Sequence, residues 1–255
     1  TGVESTGCPV TVAGGLPSTR GMGGHTQGPA AVAFLDDQLY VLQDSGDPAA
    51  SAFPDLPNGV YAVLDDGTVA LAADMKAWVD RYPVANVPYD QTLESEAFAM
   101  LPGDGFLWVL ESNSGQVLKI IPNVSIERVA DLSDGHPVPT GFALSGDGGV
   151  YVGFLTASPY KDGSSKVVKV DADGTVTDIW SGLTAVTGIA VGPDGSLYAL
   201  EMATGNLADP PFMTPGTGRI VRQTGPDSLE EVVVGLDFPI AMALGPDGAL
   251  YVSCP

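Results

Sequence analysis

The stretch Gly192-Pro-Asp-Gly-Ser-Leu-Tyr-Ala-Leu-Glu201 holds a strand end, a tight turn and the start of a second strand. Pro193 fixes φ at the first central turn position, and Gly195 allows the left-handed conformation that closes the turn. Leu197 to Leu200 then form a short apolar and aromatic strand. Gly245-Pro-Asp-Gly-Ala-Leu-Tyr-Val-Ser-Cys254 repeats the unit almost letter for letter. Looser copies begin at Leu35, Pro102 and Ser145, and Tyr40, Trp108, Tyr151, Tyr198 and Tyr251 share one strand position.

A recurring hairpin implies a repeat architecture. Each repeat divides into four strands, a to d. The a strands are 30–35, 96–101, 140–145, 187–192 and 240–245, and the aromatic segments are the b strands. The c strands are 59–63, 115–120, 165–170 and 218–223; the d strands are 68–72, 126–132, 175–180 and 229–234. The fold class expected is all-β, a β-propeller of about five four-stranded blades. Blade boundaries fall at 30–73, with an edge helix at 74–82, then at 96–132, 140–183 and 187–236. Residues 240–255 supply only an a and a b strand, and residues 1–16 only a c and a d strand. Pairing them in one composite blade would close the ring and remove sheet edges. Asp74 to Tyr82 has helical spacing and an acidic start, and Pro83 stops it.

The 255 residues carry 31 Asp and Glu against 10 Lys and Arg, a formal charge of −21. Such a surface repels nucleic-acid backbones and anionic lipid. No apolar run reaches the roughly 18 residues of a membrane-spanning helix. Thr1 follows no visible leader, as in a mature or trimmed product, so the setting expected is secreted, extracellular or periplasmic. Cys8 and Cys254 could form a disulfide in such a setting. The expected register, however, sets them at opposite ends of a strand, roughly 17 Å apart, beyond the reach of a bridge unless the terminal strands are offset.

In each blade the start of a, the end of b and the b-to-c loop share one end. That face would gather Gln43, Asp44, Glu96, Glu111, Ser112, Asn113, His136, Thr140, Thr187 and Glu201. The long loops 44–58, 155–164 and 202–217 add Phe53, Tyr160, Asn206 and Phe212. Long loops on a rigid scaffold are where binding resides. Glu111 and Glu201, at equivalent positions, could ligate a hard cation such as calcium or solvate a polar channel mouth. His25 and His136 could carry protons, yet neither has a nucleophile-and-base signature nearby. Asp171-Ala-Asp-Gly174 resembles a calcium loop, but position twelve is Gly182 in place of the bidentate Glu, and turn chemistry accounts for it.

Pro57-Asn-Gly-Val-Tyr, His136-Pro-Val-Pro-Thr-Gly, Asp162-Gly-Ser-Ser-Lys-Val, Pro215-Gly-Thr-Gly-Arg-Ile and Gly245-Pro-Asp-Gly-Ala-Leu-Tyr-Val-Ser resemble the ScyD/ScyE family of bacterial propellers over nearly the whole chain. The resemblance implies an exported protein, some members being encoded with scytonemin biosynthesis, and carries no established reaction. Family members have further strands before and after the segment matched here. A broader similarity to gluconolactonase and strictosidine-synthase-like propellers implies a channel metal, for which Glu111, Asn113 and Glu201 are the counterparts. Three functions stay open: a non-catalytic propeller binding a small molecule or protein through the long-loop face, a calcium-dependent lactonase or hydrolase, and a self-associating extracellular subunit.

Overall fold

The computed structural model describes residues 2–3, 9–20, 26–44, 55–88 and 96–254. Cys8, His25, Phe53 and most of the first long loop lie outside the described residues. Within the described residues the strands are short and antiparallel. β1 (Gly2–Val3) pairs with β2 (Pro9–Val10). The first full sheet orders β3 (Thr19–Arg20), β4 (Thr26–Leu35), β5 (Gln38–Asp44), β6 (Gly59–Val63) and β7 (Val69–Asp74). Helix α1 (Met75–Arg81) follows. Asp74 caps it by accepting the Ala77 N–H at 2.9 Å, and the Tyr82 N–H closes it on the Trp78 carbonyl.

The next sheet comprises β8 (Ala97–Pro102), β9 (Leu107–Glu111), β10 (Gln116–Ile121) and β11 (Ser125–Asp131). The third comprises β12 (Pro139–Leu144), β13 (Val150–Phe154), β14 (Ser165–Val170) and β15 (Val176–Leu183). The fourth comprises β16 (Val186–Val191), β17 (Leu197–Glu201), β18 (Gly218–Gly225) and β19 (Ser228–Leu236), and β20 (Ala241–Leu244) with β21 (Leu250–Ser253) forms a last hairpin. Each four-stranded sheet is a meander, as the repeat predicts. No helix among the described residues is long and apolar enough to cross a membrane.

The Asp-Gly turns form as the repeat dictates. Gly195 sits at φ 83° and donates to the Gly192 carbonyl at 2.9 Å. The Asp194 carboxylate accepts the Ser196 N–H at 3.0 Å. Asp66, Asp173 and Asp247 make the same bond two residues on. Hydrogen bonding to the ionised form holds these carboxyls below their ordinary value: for Asp66 chiefly the Thr68 hydroxyl, for the other three chiefly a backbone N–H. Asp147 is held at about 2 by hydrogen bonds from Lys169 and Ser145. Depressed folded-state values mean stabilisation above the unfolded carboxyl range, lost as pH falls through the folded values. The thermal midpoint is therefore expected to fall steadily between about pH 4 and 2, and less steeply in an Asp147→Asn, Asp194→Asn, Asp247→Asn variant. Parallel midpoint-against-pH curves for the two proteins would contradict this.

Two compact units divide the chain: Thr1–Asn113 with Leu118–Arg128, and Ser114–Val117 with Val129–Pro255. The core of the first packs Leu42, Val60, Met75, Met100, Leu107, Val109, Leu118 and Ile120. The core of the second packs Val167, Trp180, Leu183, Val186, Ile189, Leu197 and Val221. Gly153 and Gly141 allow that packing, since a Cβ on Gly153 would lie 2.6 Å from Val186 Cγ1 and one on Gly141 2.9 Å from Ile189 Cγ1.

The expected composite blade is a correction. Among the described residues β1–β2 and β20–β21 are separate two-stranded sheets, with no ladder between them. The N-terminal segment spends its hydrogen bonds on the first sheet instead: Gly14 donates to the Gly67 carbonyl at 3.2 Å, and Gln43 Nε2 to the Pro17 carbonyl at 3.0 Å. The last hairpin is correspondingly open: Tyr251 is 58% exposed, whereas Trp108, at the equivalent position of β9, is 2% exposed.

Candidate functional site: the loop ends of the sheets

The strand register confirms which residues are equivalent. Pro29 pairs with Gln43, Ala97 with Glu111, Pro139 with Phe154 and Val186 with Glu201. In each case the next inner-strand residue is skipped, so Ala30, Phe98, Thr140 and Thr187 are bulges at one recurring position. The hydroxyls of Thr140 and Thr187 donate to the Val186 and Pro239 carbonyls at 2.6 and 3.0 Å, joining neighbouring inner strands of the second unit.

In the first unit the Gln43 and Glu111 side chains are fully buried. Gln43 Oε1 has no donor among the described residues. Glu111 Oε1 accepts the Asn113 N–H at 3.2 Å, and the Ser112 N–H binds the Glu96 carbonyl at 2.7 Å. Gln27 Nε2 donates to Glu96 Oε1 at 3.4 Å. Asn113 is buried and Glu96 half-buried.

In the second unit Glu201 is fully buried against Arg219. Its Oε1 accepts the Thr184 N–H at 2.6 Å and its Oε2 accepts Arg219 Nε. Arg219 also reaches Glu231 at 2.6 Å. Burial pushes the Glu201 carboxyl above its ordinary value, and the guanidinium and the Thr184 N–H pull against that rise. Both carboxylate oxygens are thus engaged, and the compensating charge is an arginine. The donor set for a divalent cation named from the sequence does not fit at Glu201. Among the described residues no group of three or more His, Cys, Asp or Glu could hold a metal ion. The signal for Arg219 was available in the sequence, because it opens β18 directly opposite the end of β17, paired with Glu201.

The two long loops of this unit are tied together. The Asp162 carboxylate accepts the N–H groups of Gly205 and Asn206 at 2.8 and 3.2 Å. Asn206 Nδ2 donates to the Tyr160 carbonyl at 2.8 Å, and its Oδ1 is buried without a donor. Tyr160 and Phe212 each follow a cis proline, and each N–H donates to the carbonyl three residues back, at 3.1 Å. Their rings meet edge to face at 6.3 Å.

Left-handed non-glycine residues concentrate here. His136 (φ 49°), Val138 (52°), Thr156 (68°), Tyr160 (56°), Ala185 (45°), Phe212 (61°) and Phe238 (41°) all lie in the d-to-a or b-to-c connections of this unit, and none in its Asp-Gly turns. Val138 and Ala185 have a local account: their carbonyls accept the N–H of the residue just after each b strand, Leu155 and Met202, at 2.9 Å. The others hold loop positions that a β-branched or aromatic residue adopts only under constraint. Cys254 is exposed and has no disulfide among the described residues.

No protein-family model matches the chain, and no curated protein matches it. Solved structures do. A streptogramin B lyase superposes with TM-score 0.59 at 17% identity over 89% of this chain and 62% of its own. A protein assigned as a gluconolactonase gives 0.57 at 13% identity, over 94% and 76%. A regucalcin from Agrobacterium tumefaciens, a calcium-binding protein, gives 0.54 at 15%, over 90% and 71%. The chain therefore spans less than two thirds of the length of the lyase it matches. At these identities the likeness shows the fold: the sheets are β-propeller blades, about five in number.

Proposed function

We propose that the chain is a binding propeller, whose ligand is held by the loop end of its third and fourth sheets. The observation that carries this reading is the pair of loops locked by Asp162 and Asn206, with Tyr160 and Phe212 set in left-handed conformations beside each other. Constraint of this kind costs on the order of 1–3 kcal/mol per residue, and it clusters at ligand sites because a preorganised site loses less entropy on binding. The formal charge of −21 selects a neutral or cationic ligand with an apolar or aromatic portion. His136 and Asn206 would supply its hydrogen bonds. The sequence resemblance to the ScyD/ScyE family, and the exported setting it implies, accord with this reading.

A second reading, a calcium-dependent lactone hydrolase, is favoured by Gln43 Oε1, an oxygen buried without a donor at the position equivalent to Glu111. One set of measurements separates the two. A panel of neutral and cationic aromatic compounds should raise the thermal midpoint of the wild type. A Tyr160→Ala, Asn206→Ala, Phe212→Ala variant should lose that response by at least about tenfold in affinity. If no compound stabilises the wild type, or the variant responds equally, the loop site is refuted. Turnover of glucono-1,5-lactone that requires calcium and disappears in Glu111→Gln would transfer the assignment to the second reading.

A further inference from the structure

A concave site also lies on the first unit, beside helix α1. Helix α1 and the start of β11 border an open cleft of about 560 Å³, lined by Asp74, Ala77, Trp78, Arg81, Tyr82, Ser125 and Ile126. The volume suits a small molecule. Its wall is ordered from behind. Arg128 Nη1 donates to the Pro83 carbonyl at 3.2 Å and its other Nη to the Tyr82 carbonyl, while its Cζ stacks 5.3 Å from the Trp78 ring. Trp78 and Tyr82 lie one helical turn apart, with ring centroids 5.3 Å apart and planes tilted by 42°.

Three features of the lining narrow the ligand. The half-buried Trp78 and the exposed Tyr82 present aromatic surface to a flat apolar face. Arg81 stands 5.4 Å over the Tyr82 ring and has no carboxylate partner among the described residues, whereas Lys76, in the first turn of α1, is paired with Asp80. Asp74 and Ser125 add a carboxylate and a hydroxyl, which an aromatic acid would leave unanswered at a cost, since its ring offers them no hydrogen bonds. A ligand with an apolar C–H face, several hydroxyls and one carboxylate answers all three.

We propose that this cleft binds a hexuronic acid, its pyranose face against the Trp78–Tyr82 pair, its hydroxyls toward Asp74 and Ser125, and its carboxylate on Arg81. The protein's net negative charge opposes anions at long range. At physiological salt that field is screened within about 8 Å, and of the chain's 10 basic residues Arg81 lines the cleft and Arg128 stacks on its Trp78.

Tryptophan fluorescence isolates the site, because Trp108 and Trp180 are 2% and 1% exposed and Trp78 alone is half-exposed. Titration with D-glucuronate at constant ionic strength and pH 7 should give a saturable change in emission. D-glucose, and D-glucuronate with Arg81→Gln, should bind at least about tenfold more weakly, and Arg81→Lys should fall between. Arg81 is exposed, so circular dichroism and melting of these variants should match the wild type. No saturable change in the wild type, an equal response in Arg81→Gln, or an equal response to acetate would each overturn the proposal.

Discussion

Arg219→Ala is expected to lower the unfolding free energy by about 3–5 kcal/mol, because it leaves a carboxylate buried without its counter-charge. Glu201 is fully buried, and among the described residues its hydrogen-bond partner beyond Arg219 is the Thr184 N–H at 2.6 Å. One backbone hydrogen bond does not replace the hydration that the carboxylate lost on folding. The control lies in the pair itself. Adding Glu201→Gln to Arg219→Ala removes the buried charge and should recover a substantial part of the loss, whereas independent sites would show additive costs. Urea unfolding of the wild type, both single variants and the double variant measures this. A loss below about 1 kcal/mol for Arg219→Ala would place the pair with exposed ion pairs of little worth, and would also weaken the structural account of Glu201.

The second large effect is expected at Trp180. It is 1% exposed, packs in the core of the second unit, and its Nε1–H has no acceptor. Trp180→Ala removes one of the two buried tryptophan side chains among the described residues and should cost about 3–5 kcal/mol, with the cavity adding to the lost burial. Trp180→Phe keeps most of the apolar volume and gives up no hydrogen bond, so about 1–2 kcal/mol is expected. Against a typical domain stability of about 5–15 kcal/mol, the alanine variant approaches unfolding and the phenylalanine variant does not. Denaturant midpoints at constant slope distinguish them; equal losses in the two variants would mean that the indole N–H has a partner whose removal is the real cost.

Some of the site was legible in the repeat and some was not. The equivalence of Gln43, Glu111 and Glu201 follows from counting along the repeated hairpins, and the register bears it out. Helix α1 follows from spacing, an aspartate cap and a proline stop, and it forms as Met75–Arg81. The ion pair at Glu201 was missed because the carboxylates were compared with one another along the repeat, while the decisive partner stands on the adjacent strand. The loop clamp was missed because Asp162 and Asn206 are 44 residues apart and belong to different sheets. The composite blade was over-read from strand count alone: the hairpins were predicted, but the bonds of residues 14–17 go to the first sheet.

Turns, strand alternation and the helix cap are settled within a few residues, by φ restrictions at Pro193 and Gly195 and by side chains reaching their own backbone, so they are present in the linear chain before any packing. Which carboxylate is neutralised, which loops hold each other and which edges stay open depend on groups far apart in the chain arriving at one place, and only burial makes those encounters cost enough to matter. That is why the blade repeat is readable from the amino acids in order, and the difference between Glu111 and Glu201 only from the folded protein.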